Sequence, residues 1–339
     1  MKNLRFIPII SCFIFAFNSC STDVDIYTEL KDTTIVYGVM DVAKDTNFVK
    51  IVRAYSGNND DSFNANQIAL IADSSNYPGK LDVRFLEFKG EAHGNTYLPT
   101  GREIILDTMT IHNKQEGPFY FPNQKLYYTT EHFNVNSLYT KYKYKLLILK
   151  SYDSISSEIS LIGGKRFQIN TPMVFFKAEN GGQRKLLFSP DDNDAMYKAT
   201  MQFNYKELRS GQDTVCKNVN WSYGPYSTFD LGYEGGNLYY TYREEQLFSL
   251  LENAIGDDNF NVERFFDSFV ITIFAYGKEL EEYIQIGGGA SSIDYYYTNI
   301  HGGFGILSSY HEISKKVDIS SHTMTDLLSK GWGFKNIGY

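Results

Sequence analysis

The chain has 339 residues, 42% of them apolar, which is enough to build more than one packed core. Its formal charge is −8, with 32 Lys and Arg against 40 Asp and Glu. An acidic chain without a basic run is not built for nucleic acid, and it has little electrostatic attraction to anionic lipid.

The N-terminal segment nevertheless reads as a route to a membrane. Lys2 and Arg5 form a charged start, and Phe6 to Phe17 form a short apolar stretch. About a dozen residues is too short to span a bilayer and suits the core of a signal peptide. Phe17-Asn18-Ser19-Cys20 follows. A small residue before Cys resembles the bacterial lipobox, so residues 1–19 are expected to be a lipoprotein signal peptide. Cys20 is then the lipidated first residue, and several acyl chains on one Cys anchor stably at about 0.8 kcal/mol per buried CH₂. Ile9-Ile10-Ser11-Cys12 is a second, less favoured match. Residues 20–32 read as an acidic tether, and the acids after Cys20 resemble a surface-export signal. They favour the cell-surface side of an outer membrane over its periplasmic face. If Cys12 is removed and Cys20 acylated, Cys216 is left without an internal partner, and the expectation is a buried, inert thiol.

From Thr33 onward short apolar runs alternate with turn residues. Strands are expected at Thr34–Asp41, Phe48–Tyr55, Leu81–Phe88, Arg102–Ile111, Pro118–Phe121, Leu126–Thr130, Lys141–Leu149, Ser156–Leu161 and Arg166–Asn170. In the seventh of these, Tyr142, Tyr144, Leu146 and Ile148 share one face and Lys141, Lys143 and Lys145 the other. Asn58–Asn66 reads as a polar loop and Gln67–Ala72 as a helical turn. Such a series suggests a β-sandwich of immunoglobulin or fibronectin type over residues 33–170. Thr171-Pro172 is the expected boundary, because Pro cannot donate to a central ladder.

Residues 171–339 mix element types. Tyr197, Ala199, Met201, Phe203 and Tyr205 alternate with Lys198, Thr200, Gln202 and Asn204, which is a strand. Val215–Tyr223, Asn237–Tyr242, Phe269–Tyr276, Gly303–Ser309 and Lys315–Ile319 are further strands. Helices are expected at Glu244–Ile255, Lys278–Ile284 and Thr323–Lys330, from their apolar spacing and the glycines after two of them. The order is too irregular for a parallel sheet, so the second half is expected to be α+β or an elaborated β domain.

One stretch carries a family resemblance. Phe269-Val-Ile-Thr-Ile-Phe-Ala-Tyr-Gly-Lys-Glu-Leu-Glu-Glu-Tyr283 precedes Tyr297-Thr-Asn-Ile-His-Gly-Gly-Phe-Gly-Ile306, and Val36-Tyr37-Gly38 stands near the start. The arrangement resembles an uncharacterised family of Bacteroidota outer-membrane lipoproteins, a domain of unknown function. The resemblance implies a lipobox, an N-terminal sandwich-like region and association with polymer-uptake or envelope systems. It brings no active site with it.

Chemical motifs are scarce. None of His93, His112, His132, His301, His311 and His322 forms a zinc pair around a Glu. His301, beside Gly302-Gly303, reads as part of a turn. Asp257-x-Asn259-x-Asn261 lacks the Gly and Glu of a calcium loop, and Asp191-Asp192-Asn193-Asp194 is a compact acidic turn. Gly287-Gly288-Gly289-Ala290-Ser291-Ser292 lacks the Lys of a phosphate loop. No catalytic, metal or cofactor site is therefore expected. Adjacent tyrosines remain: Tyr127-Tyr128, Tyr239-Tyr240 and Tyr295-Tyr296-Tyr297. On a strand such neighbours point to opposite faces, so one ring packs inward while the next stays available for a sugar face or a protein partner. The expectation is a non-enzymatic binding or accessory lipoprotein, engaging a transporter, another envelope protein or an external polymer. An envelope hydrolase of glycan or peptide, or a structural adhesive protein, stands as the alternative.

Overall fold

A computed structural model describes residues 33–54, 75–91, 94–112, 123–191, 195–255, 261–287 and 297–336. Residues 33–339 form one compact unit. The first part of the chain contributes β1 (Thr33–Met40), β2 (Asn47–Ala54), β3 (Asp82–Glu91), β4 (Tyr97–Ile105), β5 (Asp107–Ile111), β6 (Gln124–Thr129), β7 (Thr140–Leu149) and β8 (Ser154–Ile159). Next come β9 (Gln168–Ile169), β10 (Met173–Val174), β11 (Gln183–Ser189), β12 (Ala195–Arg209), β13 (Val215–Ser227), β14 (Gly232–Glu234) and β15 (Asn237–Arg243). Helix α1 (Gln246–Ile255), β16 (Val262–Gly277), α2 (Lys278–Gly287), β17 (Phe304–Ile319), α3 (Ser321–Ser329) and β18 (Phe334–Lys335) complete it. The chain is mainly β, the class its alternating pattern implies. The expected Pro118–Phe121 strand and the Asn58–Asn66 and Gln67–Ala72 segments lie outside the described residues.

The strands form one ten-stranded sheet and two four-stranded sheets. The main path of the large sheet runs β13-β12-β16-β17-β1-β2-β6-β5, with β10 paired to β17 and β18 to β16. The small sheets run β14-β15-β11-β9 and β4-β3-β7-β8. The large sheet therefore crosses the expected 170/171 boundary. Its seam is the parallel pairing of β1 with β17, in register from Ile35 opposite Phe304 to Met40 opposite Ser309.

Pleat parity shows where the cores lie. Val36 and Met40 of β1 and Leu307 of β17 enter a core with Val83, Phe85, Tyr144, Leu146 and Ile148 of the β4-β3-β7-β8 sheet. Tyr197, Ala199, Met201 and Phe203 of β12 and Val317 of β17 enter a second core with Leu186, Phe188, Leu238 and Tyr240. Leu307 and Val317 share a parity on one strand. Both small sheets thus cover the same face of the large one, and the cores part between Leu161 and Ile162. The expected faces of Lys141–Leu149 are seen, with Tyr144, Leu146 and Ile148 buried.

Two groups show how the buried polar atoms are managed. Arg264 is 1% exposed and Glu207 3% exposed. The Arg264 guanidinium donates to Glu207 at 3.0 Å and also to the Trp332 carbonyl. Burial would raise the Glu207 carboxyl, but Lys217, Arg209 and Arg264 hold it below the usual range. In the other core Glu87 accepts from Tyr144 at 2.8 Å, Asn134 at 2.8 Å and Arg102 at 3.2 Å. Both carboxylates are fully used in joining strands, as buried charges must be.

The seam imposes a glycine. Gly305 has φ of +105°, and a Cβ there would lie 2.0 Å from the Val36 carbonyl oxygen. Gly305→Ala is expected to lose about 1–3 kcal/mol from the backbone conformation alone. The displaced β1 adds to that loss. Urea denaturation checks this, with an unchanged midpoint contradicting it.

Candidate functional site

With both cores on one face, the other face of the large sheet carries α2, and most of its described residues on β12, β13, β16 and β17 are exposed or half-buried. Alternation on four long strands decides what it displays. The residues of β12 that face away from the core are Lys198, Thr200, Gln202 and Asn204. Register then sets their neighbours. Thr200 lies opposite Ser222 of β13 and Thr272 of β16, and Thr272 lies opposite Ser314 of β17. Gln202 lies opposite Asn220 and Val270, and Asn204 opposite Asn218 and Ser268. The hydroxyls of Thr272 and Ser314 are 2.8 Å apart, and those of Thr200 and Ser222 3.2 Å. Asn204 donates to Ser268 at 3.2 Å.

The result is a field of hydroxyl and amide side chains with Val270 among them, all exposed or half-buried. Its charges sit at the margins. At one end Lys206 pairs with Asp267 at 3.2 Å, and Lys206, Ser268 and nearby Lys316 hold that carboxyl below its usual range. At the other end Lys198 stands 5.9 Å from the Phe274 ring centre, and Glu312 accepts from the Tyr310 hydroxyl at 2.5 Å. Beyond lies an aromatic platform. The rings of Tyr276 and Tyr310 are paired across the strands at 5.5 Å and tilted by 53°.

Helix α2 borders this platform. A Cβ on Gly277 would lie 2.6 Å from Ser308 Oγ and 2.9 Å from Glu279 Oε2, so only glycine lets the strand turn into the helix so closely. The Ser308 hydroxyl donates to Glu279 at 3.3 Å. Burial raises the Glu279 carboxyl above its ordinary range despite that bond. Tyr297 bonds to Glu282, and Tyr37 bonds to Tyr283; burial is the main cause that raises both tyrosines.

Tyr297 is thus placed at the helix, half-buried, while Tyr295 and Tyr296 lie outside the described residues. Tyr239 and Tyr240 do point to opposite faces. Tyr239 is half-buried beneath Lys185, whose Nζ is 4.4 Å from its ring centre. Tyr240 is 2% exposed, inside the second core, and its hydroxyl has no partner among the described residues. Neither reaches the polar field. Tyr127 is buried and accepts from the Leu81 amide at 3.0 Å, while Tyr128 lies outward near Phe48. Cys20 lies outside the described residues.

The expectation of a buried Cys216 is corrected: the thiol is exposed. Cys216 lies opposite Lys206 on β13, the last strand of its sheet, and its parity turns it toward solvent. His301 is held by its backbone, exchanging bonds of 2.7 and 3.1 Å with Ser156. Asp191 accepts from the Gly163 and Gly164 amides at 2.9 and 2.8 Å, which ties down a loop. Among the described residues no three His, Cys, Asp or Glu side chains converge. An open cavity of about 560 Å³ includes Tyr223 and Gln246 in its lining. Those two side chains are already bonded to each other, and burial pushes the Tyr223 hydroxyl up to about 12.

The polar field escaped sequence reasoning because it is a property of register. Thr200, Gln202 and Asn204 were visible as one face of one strand, but their neighbours on three other strands were not. Compared with known proteins, the chain matches no family model and no curated protein.

Glu279→Gln keeps the acceptor for Ser308 and removes the charge. A carboxyl raised in the folded state costs stability once pH climbs through the ordinary carboxylate range. The variant is therefore expected to melt higher than the native protein at neutral pH. The gap should close below that range, where both side chains are uncharged. Thermal melts across pH test this, and a lower-melting variant at pH 7 would contradict it.

Proposed function

We propose that this chain is an outer-membrane lipoprotein, acylated at Cys20, that binds a partner or an external polymer without performing covalent chemistry. The observation that carries the reading is the outer face of the ten-stranded sheet, a broad hydroxyl and amide field ending in the Tyr276–Tyr310 platform. A face of that kind offers many weak, directional contacts over an extended ligand, and aromatic rings that keep an apolar body beside a polar tip. The buried carboxylates Glu87, Glu207 and Glu244 favour binding over hydrolysis. Each is held by cations or backbone amides in a structural role. The signal segment, lipobox and acidic residues after Cys20 support the location and favour the cell-surface side.

Two outcomes are expected. Cys20→Ala should move the protein from the membrane fraction to the soluble fraction, since no helix among the described residues is long and apolar enough to cross a bilayer. Unchanged fractionation would contradict the anchor. Separately, a photoreactive residue at Thr200 should give adducts in intact outer membranes. These should be lost with Tyr276→Ala and Tyr310→Ala together, and a probe at Tyr233 in a small sheet should give none. Equal labelling from both positions would remove the binding face.

A further inference from the structure

Building on the proposed binding face, we infer that its ligand is a neutral, extended glycan chain lying across the strands. The first argument is spacing. Ser222, Thr200, Thr272 and Ser314 form a rank on four adjacent strands, which places one hydroxyl about every 4.8 Å over roughly 14 Å. Each step is close to the length that one pyranose ring adds to an extended chain. A polymer running perpendicular to the strands would therefore meet one hydroxyl per sugar, each able to donate and accept as sugar hydroxyls do.

The second argument is charge. The rank itself holds no charge, and its margins carry both signs: Lys198, Lys206 and Lys316 stand against Asp267 and Glu312, with Lys206 paired to Asp267. With both signs in that margin, a polyanion and a polycation each meet repulsion as well as attraction, and neither gains from the uncharged rank. A protein partner wants an apolar, aromatic centre with a polar rim. This face has the reverse arrangement, polar in the middle with rings at one end. Tyr276 and Tyr310, held at 5.5 Å, supply the surface on which the apolar face of a terminal sugar can rest.

The test uses the full chain in detergent, run through native gels containing soluble neutral polysaccharides (β-glucan, mannan, xylan) or acidic ones (polygalacturonate, alginate). At least one neutral polymer should retard the native protein, to a degree that salt leaves unchanged, because no charge is screened. Thr200→Lys with Thr272→Lys should weaken that retardation about tenfold or more, by placing unpaired charge under the ligand. Thr200→Ser with Thr272→Ser should retain it. Circular dichroism should show both doubles folded alike, so that a loss reports the face and not the fold. Retardation by acidic polymers alone, or equal retardation of the lysine double and the native protein, would overturn the inference. If no polysaccharide retards the protein while the Thr200 probe still labels a protein through the tyrosine pair, the ligand class falls and the binding face stands. If both fail, both fall.

Discussion

The arrangement depends on one backbone contact, the parallel pairing of β1 with β17. That pairing fuses what would otherwise be two layered bodies into one continuous sheet. It also makes β17 serve two cores, Leu307 in one and Val317 in the other. Parallel ladders bond with a slant and are slightly weaker per residue than antiparallel ones. The seam is correspondingly reinforced by side chains. Ser309 donates to the Met40 carbonyl at 3.2 Å, and His311 contacts Asp41 at 3.0 Å just past the end of β1.

Putting both small sheets on one side has a cost and an opportunity. The cost is that the opposite side must be made compatible with water over its whole width. On the β12–β17 half this is done with a band of hydroxyls and amides, with Lys198, Lys206, Lys316 and Glu312 at its margins. The β1–β2–β6 part is treated differently, with Tyr37, Val39, Phe48 and Tyr128 facing outward. Helix α2 sits between these two regimes, its Glu279 turned into the sheet at Ser308.

Much of this was legible in the sequence, for reasons of period. The strict alternation over Tyr197–Tyr205 and Lys141–Leu149 and the apolar spacing in Glu244–Ile255 and Thr323–Lys330 mark elements whose one face is buried, and these elements are present. Strand ends were less accurate. Gly303–Ser309 and Lys315–Ile319 read as two strands because His311, Glu312 and Ser314 interrupt the apolar pattern, yet β17 runs unbroken through them. Those polar residues lie where the strand passes from one core to the other. Arg102–Ile111 read as one strand, whereas Leu106 separates β4 from β5, which belong to different sheets. What no local pattern reveals is which distant strands become neighbours, and the candidate site exists only through that choice.

The seam also fixes an order of events. A chain emerging from a ribosome or a translocation pore presents β1 first and β17 almost last, some 270 positions later. Until then β1 carries an open ladder edge beside β2, a template for unwanted pairing. Closing so long a loop is entropically slow, as are topologies ruled by distant contacts. The β4-β3-β7-β8 layer is made of nearer segments and can assemble early, but its large partner sheet waits for Phe304 onward. Any cut or stall before that point leaves the leading strand exposed, so the tail of the polypeptide acts as the clasp for its head.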